Sequence, residues 1–359
     1  MRTSGCVFVK RCILATAAVA IGLALAGSAA AAEAGKCKVG RIAEWPLRAG
    51  SYRPVFDGAI NGQKVGILID TGSAMNLVRR SATTRLGLTR HQTPDRVIGI
   101  GGEEQAEYVH IEEFRIGEGV RKGWEVLAAG EGSFSDDIAV ILGDEYFQQV
   151  DVEFDMAHNA VRLYETRDCD GVSLAYWATT EPAGEVPIES GSKIRLTVSI
   201  NGQSVRAGLD SGSSASMLSK PDAAHLGVTP ESPGTVAGGC ILDGLGGRRQ
   251  LDSWIGQFES FTVGNERIKN PKIRFADLWR NMVYTETGSR LPTRLAGQPD
   301  MLLGADFLRA HRVLVARSQR KMYFTYAGGT VFPSNPWKGC SQPSSGKSTP
   351  DPLPKPAEK

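Results

Sequence analysis

The sequence predicts a mostly β protein built as two tandem lobes, related by a pseudo-two-fold axis, with a cleft between them. Three observations lead there. Residues 61–88, NGQKVGILIDTGSAMNLVRRSATTRLGL, align without a gap on residues 201–228, NGQSVRAGLDSGSSASMLSKPDAAHLGV, at an offset of 140. The chain therefore carries an internal duplication. Each copy opens on Asn-Gly between alternating apolar segments, the signal of a two-residue β-hairpin turn. Helical patterning is confined to short stretches around 80–86 and 220–226, each ending at a glycine able to cap it.

The N-terminus precedes the fold. Lys10 and Arg11 are followed by the apolar segment ILATAAVAIGLALAG, 13–27, and by SAAAAEA, 28–34. A basic region, an apolar segment of this length and Ala-x-Ala cleavage options read as a signal peptide over 1–32, and so as export to the periplasm or the medium. The segment is short for a membrane anchor, and no other stretch is apolar enough to span a bilayer. Cys6 and Cys12 would leave with the signal. Cys37, Cys169, Cys240 and Cys340 would remain, an even number that permits two disulfides in three connectivities.

The first lobe is expected over 37–166 and the second over 167–330. The repeat is read outward as well. Cys37 precedes Trp45 by eight residues, and Cys169 precedes Trp177 by eight. Later, AVILGDEYF (139–147) matches DMLLGADFL (300–308), and each is followed by a strand-like stretch, 150–164 and 312–326. The second unit is longer through ADLWRNMVYTETGSRLPTRLAG (276–297), expected as a surface loop near the cleft. The Pro/Ser/Lys-rich stretch 338–359 cannot bury enough apolar surface to order itself and is expected to be a flexible tail.

Composition excludes more than it assigns. Apolar residues at 41% and charged residues at 22% are an ordinary globular balance, and a net charge of +2 gives no reason to expect nucleic acid as a partner. The basic pairs Arg79-Arg80 and Arg248-Arg249 are short and read as solvated faces. The five histidines are scattered without H-E-x-x-H, and the cysteine spacing resembles no zinc motif, so neither a metal nor another cofactor is expected. No Walker-type Gly-Lys loop is present, and Tyr and Trp are not interleaved with a basic stripe.

The chemistry lies in Asp70-Thr71-Gly72-Ser73 and Asp210-Ser211-Gly212-Ser213. One such motif alone reads as a turn, since Asp and Ser cap turns and Gly takes positive φ. Two, in matched positions of a duplicated unit, can be brought face to face by a pseudo-two-fold axis. Carboxylates about 3 Å apart cannot both ionise easily, so they share a proton. One is then a base for water and the other an acid toward a carbonyl oxygen, which is amide hydrolysis without a metal or covalent intermediate. Gly72 and Gly212 let the backbone approach closely and offer N–H donors. Thr71 and Ser211 can tie the two loops together. Ser73 and Ser213 can donate to the outer carboxylate oxygens and favour ionisation.

This pair resembles the active site of aspartic proteases, and the chain is similar to bacterial retropepsin-like proteases over roughly residues 45–326. The resemblance implies two retropepsin- or pepsin-like β-barrel lobes and a catalytic dyad, Asp70 and Asp210, activating one water. It implies loop-bracing roles for Thr71 and Ser211, a polypeptide as substrate, and a monomer, because one chain holds both half-sites. Ile141-Leu142-Gly143 and Leu302-Leu303-Gly304 resemble the segment that packs behind each catalytic loop. Gly99, Ile100, Gly101 and Gly102 are placed after Asp70 much as a retroviral flap is. Gly244, Leu245, Gly246 and Gly247 stand at a similar offset from Asp210. Two flap candidates fit a retroviral-like arrangement; the alternative for both clusters is an ordinary hairpin turn. The competing functional reading is a non-catalytic periplasmic peptide- or envelope-binding protein that retains the fold, since fold does not fix function. Against it stands the completeness of both motifs, because a decayed enzyme would have lost an Asp, a Gly or a hydroxyl.

Overall fold

The computed structural model describes residues 37–130, 137–191, 193–241, 251–285 and 292–337. The expected signal, the expected tail, Cys340 and the second flap candidate at Gly244, Leu245, Gly246 and Gly247 lie outside the described residues. The first half of the chain runs β1 (Lys38–Pro46), β2 (Val55–Ile60), β3 (Gln63–Ile69), β4 (Leu77–Arg79), α1 (Arg80–Arg85), β5 (Arg90–Gly99), β6 (Gly102–Ile116), β7 (Gly119–Ala129), β8 (Ile138–Leu142), α2 (Asp144–Phe147), β9 (Asp151–Asp155) and β10 (Ala160–Arg167). The second half runs β11 (Gly184–Pro187), β12 (Arg195–Ile200), β13 (Gln203–Leu209), β14 (Met217–Ser219), α3 (Lys220–His225), β15 (Val236–Ile241), β16 (Leu251–Gln257), β17 (Ser260–Val263), β18 (Glu266–Lys269) and β19 (Lys272–Ala276). It continues through β20 (Val283–Thr285), β21 (Pro292–Arg294), β22 (Met301–Leu303), α4 (Ala305–Ala310), β23 (His311–Ala316) and β24 (Lys321–Tyr326).

The two Asn-Gly turns join β2 to β3 and β12 to β13. Both central residues take positive φ, Asn61 at 49° with Gly62 at 78°, and Asn201 at 52° with Gly202 at 77°. That is the geometry in which the turn's twist matches its strands. Each asparagine also accepts a distant backbone N–H on its Oδ1, from Glu113 at 3.0 Å and from Glu259 at 2.8 Å. The turns are thereby fastened to the next hairpin of their own lobe.

The first lobe is a closed barrel. Its sheet order is β2-β3-β8-β4-β7-β6-β5, and β2 pairs again with β6, so six strands close on themselves. The second lobe repeats this as β15-β16-β19-β14-β22-β13-β12-β17-β18. Here β16 and β17 stand for the single long β6, and β18 and β19 for β7. The second of these breaks carries Pro271, which has no N–H to give a ladder, while its carbonyl accepts from Phe258 across the gap. Ile67, Leu68 and Ile69 of β3 are fully buried, as is Leu209 of β13 to within 2%, so the strand that ends at each motif is core on both faces. Such burial explains the continuous apolar run before Asp70.

A third sheet joins the lobes in the order β1-β10-β9-β23-β24-β11, with β9 antiparallel to β23 at its centre. The stretches 150–164 and 312–326 are each a hairpin, turning at Asn159 (φ 55°) and Arg320 (φ 52°). This sheet corrects the outer repeat. Trp45 lies in β1, paired with Val161 of β10. Its counterpart in the second half is in β11, where Val186 pairs with Met322. Trp177 lies before β11 and donates Nε1 to Thr325 Oγ1 at 2.8 Å. The Cys-to-Trp spacing therefore does not mark equivalent positions of the two halves.

Cys37 and Cys169 are bonded to each other, tying the start of β1 to the end of β10. Cys240 is also disulfide-bonded. Arg79 departs from the solvated face expected of it. It ends β4, which sits between β7 and β8, and is 3% exposed, with Nη1 on the carbonyl of Ile138 at 3.3 Å. Helices α1 and α3 occupy the two stretches expected of them. Each is followed by a glycine of positive φ, Gly87 at 66° and Gly227 at 84°. Helices α2 and α4, four and six residues long, are capped by Gln148 and His311 with no glycine following, so they lack the stop signal that marks α1 and α3.

Candidate active site

The two motifs leave the barrels at the ends of β3 and β13 and meet between the lobes. Each aspartate is placed by its backbone: Asp70 N–H donates to Leu142 O at 2.9 Å, and Asp210 N–H to Leu303 O at 2.8 Å. The Ile-Leu-Gly and Leu-Leu-Gly segments thus lie directly behind the loops. Ile141 pairs with Leu68 and Leu77, and Leu302 with Gly208 and Met217. Gly143 and Gly304 are required there. An added Cβ would lie 2.2 Å from the Met75 carbonyl oxygen or 2.5 Å from the carbonyl carbon of Ala215.

Within each loop one carboxylate oxygen is held by two amides. Asp70 Oδ1 accepts from Gly72 N at 2.9 Å and Ser73 N at 3.1 Å. Asp210 Oδ1 accepts from Gly212 N at 3.1 Å and Ser213 N at 3.0 Å. The seryl hydroxyls do not take the part expected of them. Ser73 Oγ donates to Met75 O and Ser213 Oγ to Ala215 O, each at 2.8 Å. A hydroxyl has one proton to give, and in each turn it goes to the carbonyl two residues on.

Between the loops the bracing is reciprocal. Thr71 Oγ1 donates to Leu209 O at 2.7 Å and accepts from Ser211 N at 3.0 Å. Ser211 Oγ donates to Ile69 O at 2.8 Å and accepts from Thr71 N at 3.1 Å. Thr71 is 3% exposed and Ser211 fully buried, so these four bonds work in a dry setting. They bring each glycine under the opposite aspartate. A Cβ on Gly72 would lie 2.5 Å from Asp210 Cγ, and one on Gly212 2.3 Å from Asp70 Cγ. No other residue fits either position.

Burial, first, and then the charge and hydrogen bond of Asp70 push the carboxyl of Asp210 up to about 7; the Ser213 amide and the Lys193 charge oppose the rise. The arrangement therefore favours the protonated form of the Asp210 carboxyl.

Gly99, Ile100, Gly101 and Gly102 form the turn of the β5–β6 hairpin. Ile100 at its tip packs against the cluster that holds Met217, Leu278 and Leu302 of the second lobe. The hairpin thus reaches across from one lobe to the other. The hairpin β20–β21, from the longer second unit, touches β6.

Sequence reasoning missed two further symmetric sets. Behind the loops, Gly143 N–H donates to Asn76 Oδ1 and Gly304 N–H to Ser216 Oγ, each at 3.0 Å. Asn76 in turn donates to Glu145, and Ser216 to buried Asp306 at 2.6 Å. Between the lobes, Arg53 Nη1 donates to Gly212 O at 3.2 Å, and Lys193 Nζ to Gly72 O. The 140-residue offset relates Arg53 to Lys193, and would have found them had the alignment been carried eight residues further back. Among the described residues no group of three or more His, Cys, Asp and Glu is placed to hold a metal ion, and no helix is long and apolar enough to cross a membrane.

A family model described as aspartyl protease matches residues 56–146 and 196–307, more than half of the chain. Among solved structures, an aspartic proteinase from Irpex lacteus is 13% identical with a TM-score of 0.42, covering 83% of this chain and 100% of its own. A retropepsin-like aspartic protease from Rickettsia conorii is 17% identical with a TM-score of 0.25, covering 36% of this chain and 94% of its own. No curated protein sequence matches the chain.

Proposed function

We propose, from the premise that this chain belongs to the aspartyl protease family, that it is an aspartic endopeptidase using Asp70 and Asp210 as one catalytic pair. The observation that carries the reading is the reciprocal seating of each carboxyl against the glycine of the opposite loop. Asp210 holds the shared proton and gives it to the scissile carbonyl oxygen. Asp70 takes a proton from a water lying between the two carboxyls, and the water oxygen bonds to the carbonyl carbon. The resulting diol collapses as Asp70 passes its proton to the amide nitrogen and a diol hydroxyl returns one to Asp210. The C–N bond breaks, and the pair regains its starting charge.

The substrate is a polypeptide lying in the cleft beneath the β5–β6 hairpin. The motif-bearing units are 37–166 and 167–330, both in one chain, so the working form is a monomer. Export is supported by the signal-like residues 1–32 and agrees with the Cys37–Cys169 bond. The test is digestion of a defined peptide mixture, read by mass spectrometry across the acid-to-neutral range. Cleavage by the wild type that disappears in both aspartate variants is the expected result; silence in all three proteins overturns the reading.

Two outcomes follow for the same assay. Because Asp210 must carry a proton, kcat/KM falls as pH rises through about 7; a profile flat from weak acid to weak base would contradict this assignment. The sign for stability agrees. A carboxyl raised above its unfolded value gives the native state a proton-linked stability that is present in acid and lost as pH rises through about 7. Gly212→Ala forces Asp70 from its seat, so kcat/KM falls by about 100-fold or more, with roughly 1–3 kcal/mol lost from stability. Steady-state kinetics and denaturant unfolding on the same preparation measure both.

A further inference from the structure

Arg53 and Lys193 each stand seventeen residues before the aspartate of their own lobe, and both reach out of that lobe. The residue after each one anchors the strand that carries the motif. Pro54 O accepts from Ile69 N, and Ile194 O from Leu209 N, both at 3.0 Å. The cations therefore start from fixed points beside the loops and end on the carbonyl of the opposite loop's glycine.

Those carbonyls belong to peptides with a second task. The Gly72–Ser73 peptide accepts from Lys193 at its oxygen and donates to Asp70 Oδ1 at its nitrogen. The Gly212–Ser213 peptide accepts from Arg53 and donates to Asp210 Oδ1. A cation at the carbonyl end and a carboxylate at the N–H end polarise the same peptide in the same direction, and each bond strengthens the other. We propose that Lys193 and Arg53 are a pair of positioning residues, each of which fixes and polarises, from its own lobe, the peptide that binds the other lobe's aspartate. They make the site sensitive to how the lobes are docked, because neither relay closes within one lobe.

The charged surroundings differ on the two sides. Lys193 also faces Asp210 and the buried Asp144, which is paired with Arg317. Next to Arg53, Tyr52 lies under Arg309 at 4.9 Å and feels the charge of Asp306. The Lys193 charge favours the ionised Asp210 carboxyl, and each relay strengthens the amide bond to its aspartate, so removing either cation is expected to make the pair hold its proton to higher pH.

The proposal rests on the aspartic reading, and its test separates the two. The carboxyl of Asp210, identified by its loss in Asp210→Asn, is titrated by ¹³C NMR in the intact chain, which needs no turnover; kcat/KM is measured against pH in parallel. Lys193→Met is expected to move the titration and the alkaline limb upward by up to roughly one pH unit. It should lower kcat several-fold with little change in KM, and Lys193→Arg should restore both. Arg53→Met, with Arg53→Lys as its rescue, reads the same effect from the other lobe and carries the test if Lys193→Met fails to fold. A Lys193→Met titration superimposed on wild type, or a Lys193→Arg protein as impaired as Lys193→Met, overturns the proposal. Absence of cleavage in wild type overturns the enzymatic reading instead, and leaves the titration to judge the relay.

Discussion

Asp70→Asn and Asp210→Asn each lower kcat/KM for peptide cleavage by about 10⁴-fold, while the protein stays folded. The amide is nearly isosteric with the carboxyl. At either position its oxygen still accepts the two loop amides now held by Asp Oδ1. What is lost is chemical. In Asp70→Asn the side-chain amide has no basic oxygen to take a proton from water. In Asp210→Asn it has no acidic proton to pass to a carbonyl oxygen. On the proposed mechanism the two carboxyls act on one water as a unit, so the double variant is expected to be little worse than either single one. Comparable residual activity in one single variant and wild type would remove that aspartate from the mechanism. Unfolding curves recorded alongside separate a chemical loss from a structural one.

Glu153→Ala costs about 3–5 kcal/mol of stability, the largest effect expected away from the cleft. Glu153 is fully buried at the centre of the sheet that joins the lobes. Its carboxylate meets Arg162 from β10 and Arg312 from β23, each at 2.7 Å, and the hydroxyls of Tyr164 and Tyr176 at 3.0 and 2.9 Å. Truncation leaves Arg162 with Asp155 and the more distant Glu44, and Arg312 with Asp155 and the Tyr176 hydroxyl, so two mostly buried guanidinium groups lose the carboxylate they share. Glu153→Gln keeps the shape and most hydrogen bonds but not the charge, and is expected to lose less. Denaturant unfolding decides the matter: a change below about 1 kcal/mol for Glu153→Ala would mean that the arginines are solvated rather than held.

The parts legible in the sequence are those encoded locally and twice. Asn61-Gly62 and Asn201-Gly202 specify turns by backbone preference alone, and the offset between Asp70 and Asp210 requires only comparison of the chain with itself. The joining sheet was not legible in its pairing. Its central contact, Val152 and Phe154 of β9 with Val315 and Val313 of β23, spans the whole second barrel in sequence. Trp177 was misassigned for the same reason: a spacing match is local, whereas equivalence in this sheet is set by partners far along the chain. A bond from the Ser73 and Ser213 hydroxyls to the carboxylates is chemically allowed, but each hydroxyl donates instead to the backbone carbonyl two residues on, which only the folded turn reveals. Arg53 and Lys193 look like solvent-facing cations within their own lobe. Their role exists only where the opposite loop presents a carbonyl.

The Cys37–Cys169 bond brackets the entire first barrel, with a separation of 132 residues. Under the proposed function the chain is exposed to its own activity, and its surface hairpins are the places where a cut would fall. Any single cut between residues 38 and 168 leaves both pieces linked through sulfur, so a nicked first lobe cannot drift away from the β strands that hold it. Such a molecule runs as one species on a gel without reductant and as two with it. The crosslink thus gives the half-site containing Asp70 a tolerance to cleavage that the half-site containing Asp210 does not draw from this bond.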